Sequence, residues 1–136
     1  MGIRAIVCGG RMYGESHFSD GTPREGWELE RHILVDVLSQ LNIDEMAQGG
    51  AKGADFWSKK WAEEHGVPCR TFKADWKRYH RAAGAIRNTW MLNEFAPGAV
   101  VALPGGNGTA DMVKKARRAN VPVILVDREG KTSYAV

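Results

Sequence analysis

The sequence predicts an α/β fold: a single Rossmann-like domain over residues 1–136, with a mainly parallel sheet of about five strands and helices on both faces. Two observations support this prediction. Short apolar segments alternate along the chain with longer segments whose apolar residues recur at helical spacing. Such alternation is typical of parallel strands joined by right-handed helical crossovers. The length of 136 residues also suits one domain with its own core.

The first part of the chain predicts two strands, a loop and a helix. Ile3–Cys8 is short and apolar and ends at a glycine pair, as a buried first strand does. Residues 12–26 predict a long surface loop, a feature that is often functional in compact domains. Ile43–Gln48 predicts the second strand. The helix between them is predicted from apolar residues at helical spacing, namely Leu29, Ile33, Leu34, Val37, Leu38 and Leu41.

The rest of the chain continues the alternation. Its elements are predicted, in order, as a helix at 54–65, a strand at 69–72, a loop at 73–79, a helix at 82–95, a strand at 99–103, a helix after 109, a strand at 121–126 and a polar tail. Trp57 and Trp61 lie one helical turn apart and, like Trp90, are expected in the core or at a subunit interface. Other apolar residues of the last two helices are expected to pack inward: Ile86, Met91, Phe95, Met112, Val113, Ala116 and Ala119.

Composition argues against several classes of function. The 19 Lys and Arg residues and 16 Asp and Glu residues are mixed along the chain and give a net charge of only +3, which weighs against nucleic acid as the main partner. The two cysteines and four histidines show no metal-binding spacing, so we predict no metal site and no cofactor. No apolar run approaches ~18 residues, and no signal peptide is evident, so we expect a cytoplasmic protein without a membrane span.

Three glycine turns follow predicted strands. Gly9-Gly10-Arg11 follows the first strand, GGAKGAD at residues 49–55 follows the second, and PGGNGT at residues 104–109 follows the fourth. Because the carboxyl ends of parallel strands lie along one edge of a sheet, we expect these turns to meet there. Backbone N–H groups in such turns, together with the positive end of a helix dipole, favour an anion. The sequence therefore predicts a phosphate-bearing ligand at this edge.

The candidate ligand-binding residues add charged and aromatic side chains to these turns. Arg11 is suited to fork onto phosphate oxygens, or to remain a solvated loop residue. Asp55 is suited either to cap the second helix or to accept hydrogen bonds from a ribose. Trp76 is suited to stack on a base or to form part of an apolar lid, and Arg87 is expected to approach the same edge. The full set is Gly9, Gly10, Arg11, Gly49, Gly50, Ala51, Lys52, Gly53, Asp55, Trp76, Arg87, Asn88, Pro104, Gly105, Gly106, Asn107, Gly108, Thr109 and Asp111.

In combination, these motifs resemble the SLOG superfamily and, within it, the small YspA/YpsA-type members of bacteria and phages. The matching pieces are Gly9-Gly10-Arg11, GGAKGAD, Ala74-Asp75-Trp76, residues 83–88 and PGGNGTAD at residues 104–111. The resemblance implies a domain that binds a nucleotide or nucleotide-derived ligand as a sensor or sequestering protein, including a nucleotide immune signal if the source is a phage. It also implies assembly, and with the apolar face of Trp57 and Trp61 it favours a homodimer or larger homo-oligomer.

Two alternative functions come from other branches of the superfamily. Lonely-guy phosphoribohydrolases carry PGGxGTxxE and an arginine on the preceding helix, which Arg87 matches. Met112 stands at the glutamate position, and Asp111, the nearest carboxylate, points roughly 100° away around the helix. An N-glycosidic hydrolase in which Asp111, or Asp55, replaces this glutamate beside Arg87 is therefore the alternative, and we lean against an enzyme. Arg87 and Asp111 are its first-choice catalytic residues. The third possibility is single-stranded nucleic acid binding, as in DNA-processing protein A.

Overall fold

The computed structural model describes residues 2–135 and contains one sheet with helices packed on its two faces. The strands are β1 (Ile3–Cys8), β2 (Ile43–Gln48), β3 (Cys69–Thr71), β4 (Ala99–Ala102), β5 (Val123–Val126) and β6 (Thr132–Ala135). The helices are α1 (Trp27–Gln40), α2 (Ala54–Glu64), α3 (Trp76–Tyr79), α4 (Ala83–Phe95) and α5 (Asn107–Arg118), with a 3-10 turn at His80–Ala82 before α4. The prediction of a single Rossmann-like α/β fold is confirmed.

The strand order, β3-β2-β1-β4-β5-β6, places the site-forming turns side by side. The chain builds outward from β1 through β2 to β3 and then returns to add β4 on the other side of β1. All pairs from β3 to β5 are parallel, and Cys8 of β1 lies beside Ala102 of β4. The strand order therefore reverses between β1 and β4. In open α/β sheets, the crevice at the carboxyl ends of such a strand pair is where ligands bind.

Two apolar clusters hold the layers together, one on each face of the sheet. Helices α1 and α2 bury side chains such as Leu34, Leu38 and Trp61 against one face. Helices α4 and α5 bury Phe95 and Met112, among others, against the opposite face. Burial of large apolar side chains on both faces of the sheet holds the helices against it. The positions of the helix N-termini relative to the strand ends are set by the same packing.

The sheet has six strands, so the prediction of about five was one short. The missed strand, β6, lies in the segment read as a polar tail and pairs antiparallel with β5. It was missed because its four residues carry little apolar pattern; Thr132, Ser133 and Tyr134 are exposed. A turn creates it: Asp127 N donates to Lys131 O, and the Asp127 carboxylate accepts from the amides of Glu129 and Lys131. The loop predicted at 73–79 likewise contains α3, which Asp75 caps by accepting from Arg78 N.

Several helical residues face the solvent where the sequence predicted packing. Leu29, Ile86 and Trp90 are exposed by 40–56%, and Ala119 is also exposed. The spacing was helical in each case, but these side chains lie beside the apolar stripe. Trp90 still covers the core at one edge, since its ring meets Phe72 edge-on with centroids 4.7 Å apart.

The predicted loop at residues 12–26 is confirmed and is held firmly to the helices beneath it. Arg24 forms an ion pair with Glu30 at 2.9 Å, and Trp57 Nε1 donates to the Glu15 carboxylate. Trp61 is 5% exposed within the core. Trp57 and Trp61 are thus engaged inside the chain, and they do not form the open apolar face that suggested a subunit interface. Within residues 2–135, no helix has the length and apolar character that crossing a membrane requires.

Candidate functional site

A cavity of about 590 Å³ opens at the carboxyl ends of β1, β2 and β4, at the point where the strand order reverses. Its wall brings together parts of all three glycine turns with residues of α3, α4 and α5. The sequence-predicted residues that line it are Gly9, Gly10, Arg11, Gly49, Ala51, Asp55, Trp76, Arg87, Asn88, Gly106, Asn107, Gly108, Thr109 and Asp111. Topology thus collects residues that are far apart in the chain.

Five predicted residues lie behind the wall or beside it: Gly50, Lys52, Gly53, Pro104 and Gly105. Lys52 Nζ donates to Ser19 Oγ at 2.9 Å, which ties it to the 12–26 loop. The Pro104 carbonyl accepts from Gly10 N at 2.8 Å. These residues connect the turns to one another and to the loop.

Four residues of the cavity wall were missed by the sequence analysis: Cys8, Arg81, Gly84 and Ala85. Cys8 is the last residue of β1, directly before the predicted Gly9, so its position was available as a signal. Arg81, Gly84 and Ala85 lie at the start of α4. Arg87 was predicted to approach the site because the helix before β4 begins at this edge of the sheet. The same reasoning applies to the residues at the very start of that helix.

The N-terminus of α5 opens at the cavity wall without a side-chain cap. Its N-cap is Gly106, which provides no side-chain cap, and the first amide to close the helix is Ala110 N, donating to Gly106 O. The amides of Asn107, Gly108 and Thr109 therefore have no acceptor within the helix, as in any first turn. Because all three residues line the cavity, these donors and the positive end of the helix dipole act there.

Amides of the other two turns are used within the protein. Gly10 N donates to Pro104 O, Gly50 N to Gln48 Oε1 at 2.6 Å, and Ala51 N to Asp55 Oδ2 at 3.2 Å. The expectation that all three turns present amides to one anion therefore does not hold for these groups. These three amides shape the wall, whereas the first-turn amides of α5 have no acceptor within their helix.

Asp55 and Arg87 form the charged floor of the cavity. Arg87 Nη1 donates to Gly49 O at 2.7 Å and to Phe72 O at 3.2 Å, which anchors the guanidinium between β2 and β3. Asp55 is only 7% exposed and does not cap α2, since Gly53 is the N-cap. Burial raises the pKa of Asp55, and the nearby Arg87 guanidinium opposes that rise.

The second candidate carboxylate, Asp111, is held by neighbours on α4 and α5. Its Oδ2 accepts from Asn88 Nδ2 at 3.0 Å and lies 2.9 Å from Lys115 Nζ. Asn88 is buried and also donates to Gly108 O, so it links α4 to the first turn of α5. Met112, at the position of the Lonely-guy glutamate, is fully buried. Asp111 is thus a paired structural carboxylate at the cavity wall.

Trp76 and Arg11 form the aromatic side of the cavity. The Arg11 guanidinium carbon lies 5.0 Å from the Trp76 ring centroid, within range of a cation–π contact. The Trp76 side of this pair remains accessible, because the residue is 46% exposed. The pair therefore offers a flat π surface together with a positive charge.

The buried charge of Asp55 leads to a prediction about pH. Because the folded state raises the pKa of Asp55, its carboxyl contributes fully to stability only below the unfolded-state pKa, near 3.8. As the pH rises through the folded-state pKa, that contribution to the free energy of unfolding is lost. Asp55→Asn is therefore expected to raise stability at pH 7 by about 1 kcal/mol. Thermal melts from pH 4 to 8 should show the gain growing with pH.

Asp20→Asn is the matched control for that experiment. Asp20 is an exposed aspartate whose pKa is lowered by hydrogen bonds from Thr22 N and Oγ1, the opposite direction. Its replacement should give no gain at pH 7. Equal shifts in the two variants, or a loss of stability for Asp55→Asn, would contradict the assignment of Asp55 as a destabilising buried charge.

The fold and the cavity together define a Rossmann-like α/β protein with a helix N-terminus that lacks a side-chain cap at its topological switch point. The chain belongs to the YspA, cpYpsA-related SLOG family, whose family model matches residues 3–79. This match covers β1 to α3 with the first two glycine turns, and it ends before Arg87 and the PGGNGT turn. No curated protein matches the chain. Family membership fits, at a coarse level, nucleotide-related ligand binding or a phosphoribohydrolase-like function.

Proposed function

We propose that the protein binds a nucleotide or nucleotide-derived ligand by its phosphate group, as a sensor or sequestering protein. The observation that carries this proposal is the uncapped N-terminus of α5, which opens into a 590 Å³ cavity at the switch point of the sheet. Three first-turn amides and a helix dipole at the cavity wall favour a phosphate over a neutral group. The volume is typical of a small-molecule site.

The remaining wall suits the other parts of a nucleotide. The exposed Trp76 ring offers a stacking surface for a base, and the Asp55 carboxylate can accept hydrogen bonds from sugar hydroxyls. Arg11 and Arg81 add positive charge to the cavity wall, which favours an anionic ligand. Each end of the ligand thus has chemically matched neighbours.

Calorimetric titration with AMP, ADP, cyclic AMP, ADP-ribose and adenosine tests the proposal. Phosphate-bearing compounds are expected to bind, and adenosine, which lacks a phosphate, is expected to bind at least about tenfold more weakly because it makes no contact with the α5 amides. Lack of binding by all the phosphate-bearing compounds, or equal binding of adenosine and AMP, would overturn the proposal.

Asn107→Asp separates binding from folding. A carboxylate in the first turn of α5 interacts favourably with the helix dipole, so stability should rise by about 0.3–1 kcal/mol. The same charge repels a bound phosphate, and nucleotide affinity should fall about tenfold or more. Asn120→Asp, the same change just beyond the other end of α5, should leave affinity unchanged. Denaturant unfolding measures the stability of both variants, and calorimetry measures their nucleotide affinity. If stability and affinity rose together or fell together in Asn107→Asp, the prediction would be contradicted.

A second candidate function, N-glycosidic hydrolysis, is favoured by Asp55. A buried carboxyl with a raised pKa, beside an arginine in a cavity, is suited to proton transfer, whereas Asp111 is already paired with Lys115. Incubation with AMP followed by chromatography for free adenine tests this function. Turnover that Asp55→Asn abolishes would support it, and intact AMP after prolonged incubation would remove it.

A further inference from the structure

A second cavity, of about 730 Å³, lies on the other side of α5 from the proposed nucleotide site. Residues 110, 113, 114 and 117 of α5 line it, whereas residues 108 and 111 line the first cavity. At about 100° per residue, the centres of these two sets lie about 140° apart around the helix. Arg118, which also lines the second cavity, lies near the boundary between the two faces. The two cavities share Gly106 and Thr109, so they meet at the N-terminus of α5.

The two cavities differ in charge. The first is lined by three arginines and by the carboxylates of Asp55 and Asp111. The second is lined by Lys114, Arg117 and Arg118 with no acidic residue, above an apolar floor that includes Leu125. The second cavity is therefore complementary to a group that is both partly apolar and negatively charged.

Building on the proposed function, we propose that the ligand is a dinucleotide with a terminal 5′-phosphate. Its linking phosphate lies at the α5 N-terminus, where the two cavities join. The 3′ nucleoside enters the first cavity beside Trp76, and the 5′ nucleotide enters the second, with its phosphate near Lys114 and Arg118. A mononucleotide fills only one of the two cavities, so the second nucleotide adds contacts without a second loss of translational freedom.

Calorimetry with the 5′-phosphorylated dinucleotide pApA, with ApA and with AMP tests this inference. We expect pApA to bind at least about tenfold more tightly than AMP, and ApA to bind more weakly than pApA because it lacks the terminal phosphate. The affinity for pApA should also fall more steeply with salt than that for AMP, since more phosphates are neutralised.

Two variants localise the effect to the second cavity. Ala110 is exposed and lines only that cavity, so Ala110→Trp should reduce pApA affinity to the level of AMP and leave AMP binding unchanged. Ala119→Trp, the same change at an exposed position outside both cavities, should have no effect. The double variant Lys114→Ala/Arg118→Ala alters only exposed side chains and should produce the same loss as Ala110→Trp even if that variant folds poorly.

The outcomes distinguish the two proposals. If AMP binds and pApA binds equally well, or if neither second-cavity variant changes pApA affinity, the dinucleotide inference is overturned and the nucleotide site stands. If pApA does not bind while AMP, ADP or ADP-ribose does, only the dinucleotide inference fails. If none of the phosphate-bearing compounds binds, the proposed function fails, and the inference fails with it.

Discussion

Replacing Gly53 with alanine is expected to destabilise the protein by about 3 kcal/mol or more. Gly53 adopts φ 79° and ψ −132°, a conformation that side chains rarely allow. A Cβ at this position would overlap the carbonyl groups of Gly10 and Arg11. Both carbonyls belong to the backbone of the turn after β1, so they cannot rotate away as a side chain could. The turn after β1 and the turn after β2 would therefore have to move apart.

Gly66→Ala is the control for this prediction. Gly66 also has positive φ, at 68°, but a Cβ there would meet nothing within 4 Å. Its replacement should therefore show only the conformational cost, about 1 kcal/mol. Urea unfolding of both variants measures the difference. If the two variants lost similar free energies of unfolding, overlap of the new Cβ with the Gly10 and Arg11 carbonyls would not be the cause of the loss at Gly53.

Arg87→Ala is expected to reduce stability by about 3 kcal/mol and to abolish detectable nucleotide binding. The change leaves the Gly49 and Phe72 carbonyls without this donor, and it leaves the buried Asp55 carboxylate without its nearby positive charge. The pKa of Asp55 should then rise further. The stability loss is therefore expected to be larger at pH 8 than at pH 5.

Arg81→Ala provides the comparison for Arg87→Ala, because Arg81 lines the same cavity but is exposed. Thermal melts at the two pH values should show almost no change for Arg81→Ala. Adding Asp55→Asn to Arg87→Ala should restore part of the stability at pH 8. If Arg87→Ala were as stable as Arg81→Ala, Arg87 would not be an anchor of the cavity floor.

Much of this fold was predictable because its strands carry their own signals. Ile43–Gln48 was predicted with the bounds that the structure has, since this short segment between two helical patterns ends at a glycine pair. The short β6 was missed because its four residues carry little apolar pattern, although Asp127 and Gly130 mark the turn before it. The exposure of Trp90 also depends on how α4 lies against Phe72, which spacing within one helix does not determine.

The candidate site was predicted in outline, and its inner connections were not. Glycine pairs after strands correctly indicated which turns meet, because parallel topology forces their convergence. The tertiary contacts decide which backbone amides remain available to a ligand. Gly10 N, for example, donates to Pro104 O, nearly a hundred residues away in the chain. The ties of Asn88 to Gly108 and Asp111 also arise only when α4 and α5 pack together.

The position of β4 between β1 and β5 has a consequence for biosynthesis. β1 and β2 emerge from the ribosome before β4, so β1 has β2 on one side and an unpaired edge on the other until β4 has been made. An apolar strand with an unpaired edge is prone to join a second nascent chain. Translation speed and chaperone access during synthesis of the next few dozen residues should therefore govern the yield of native protein.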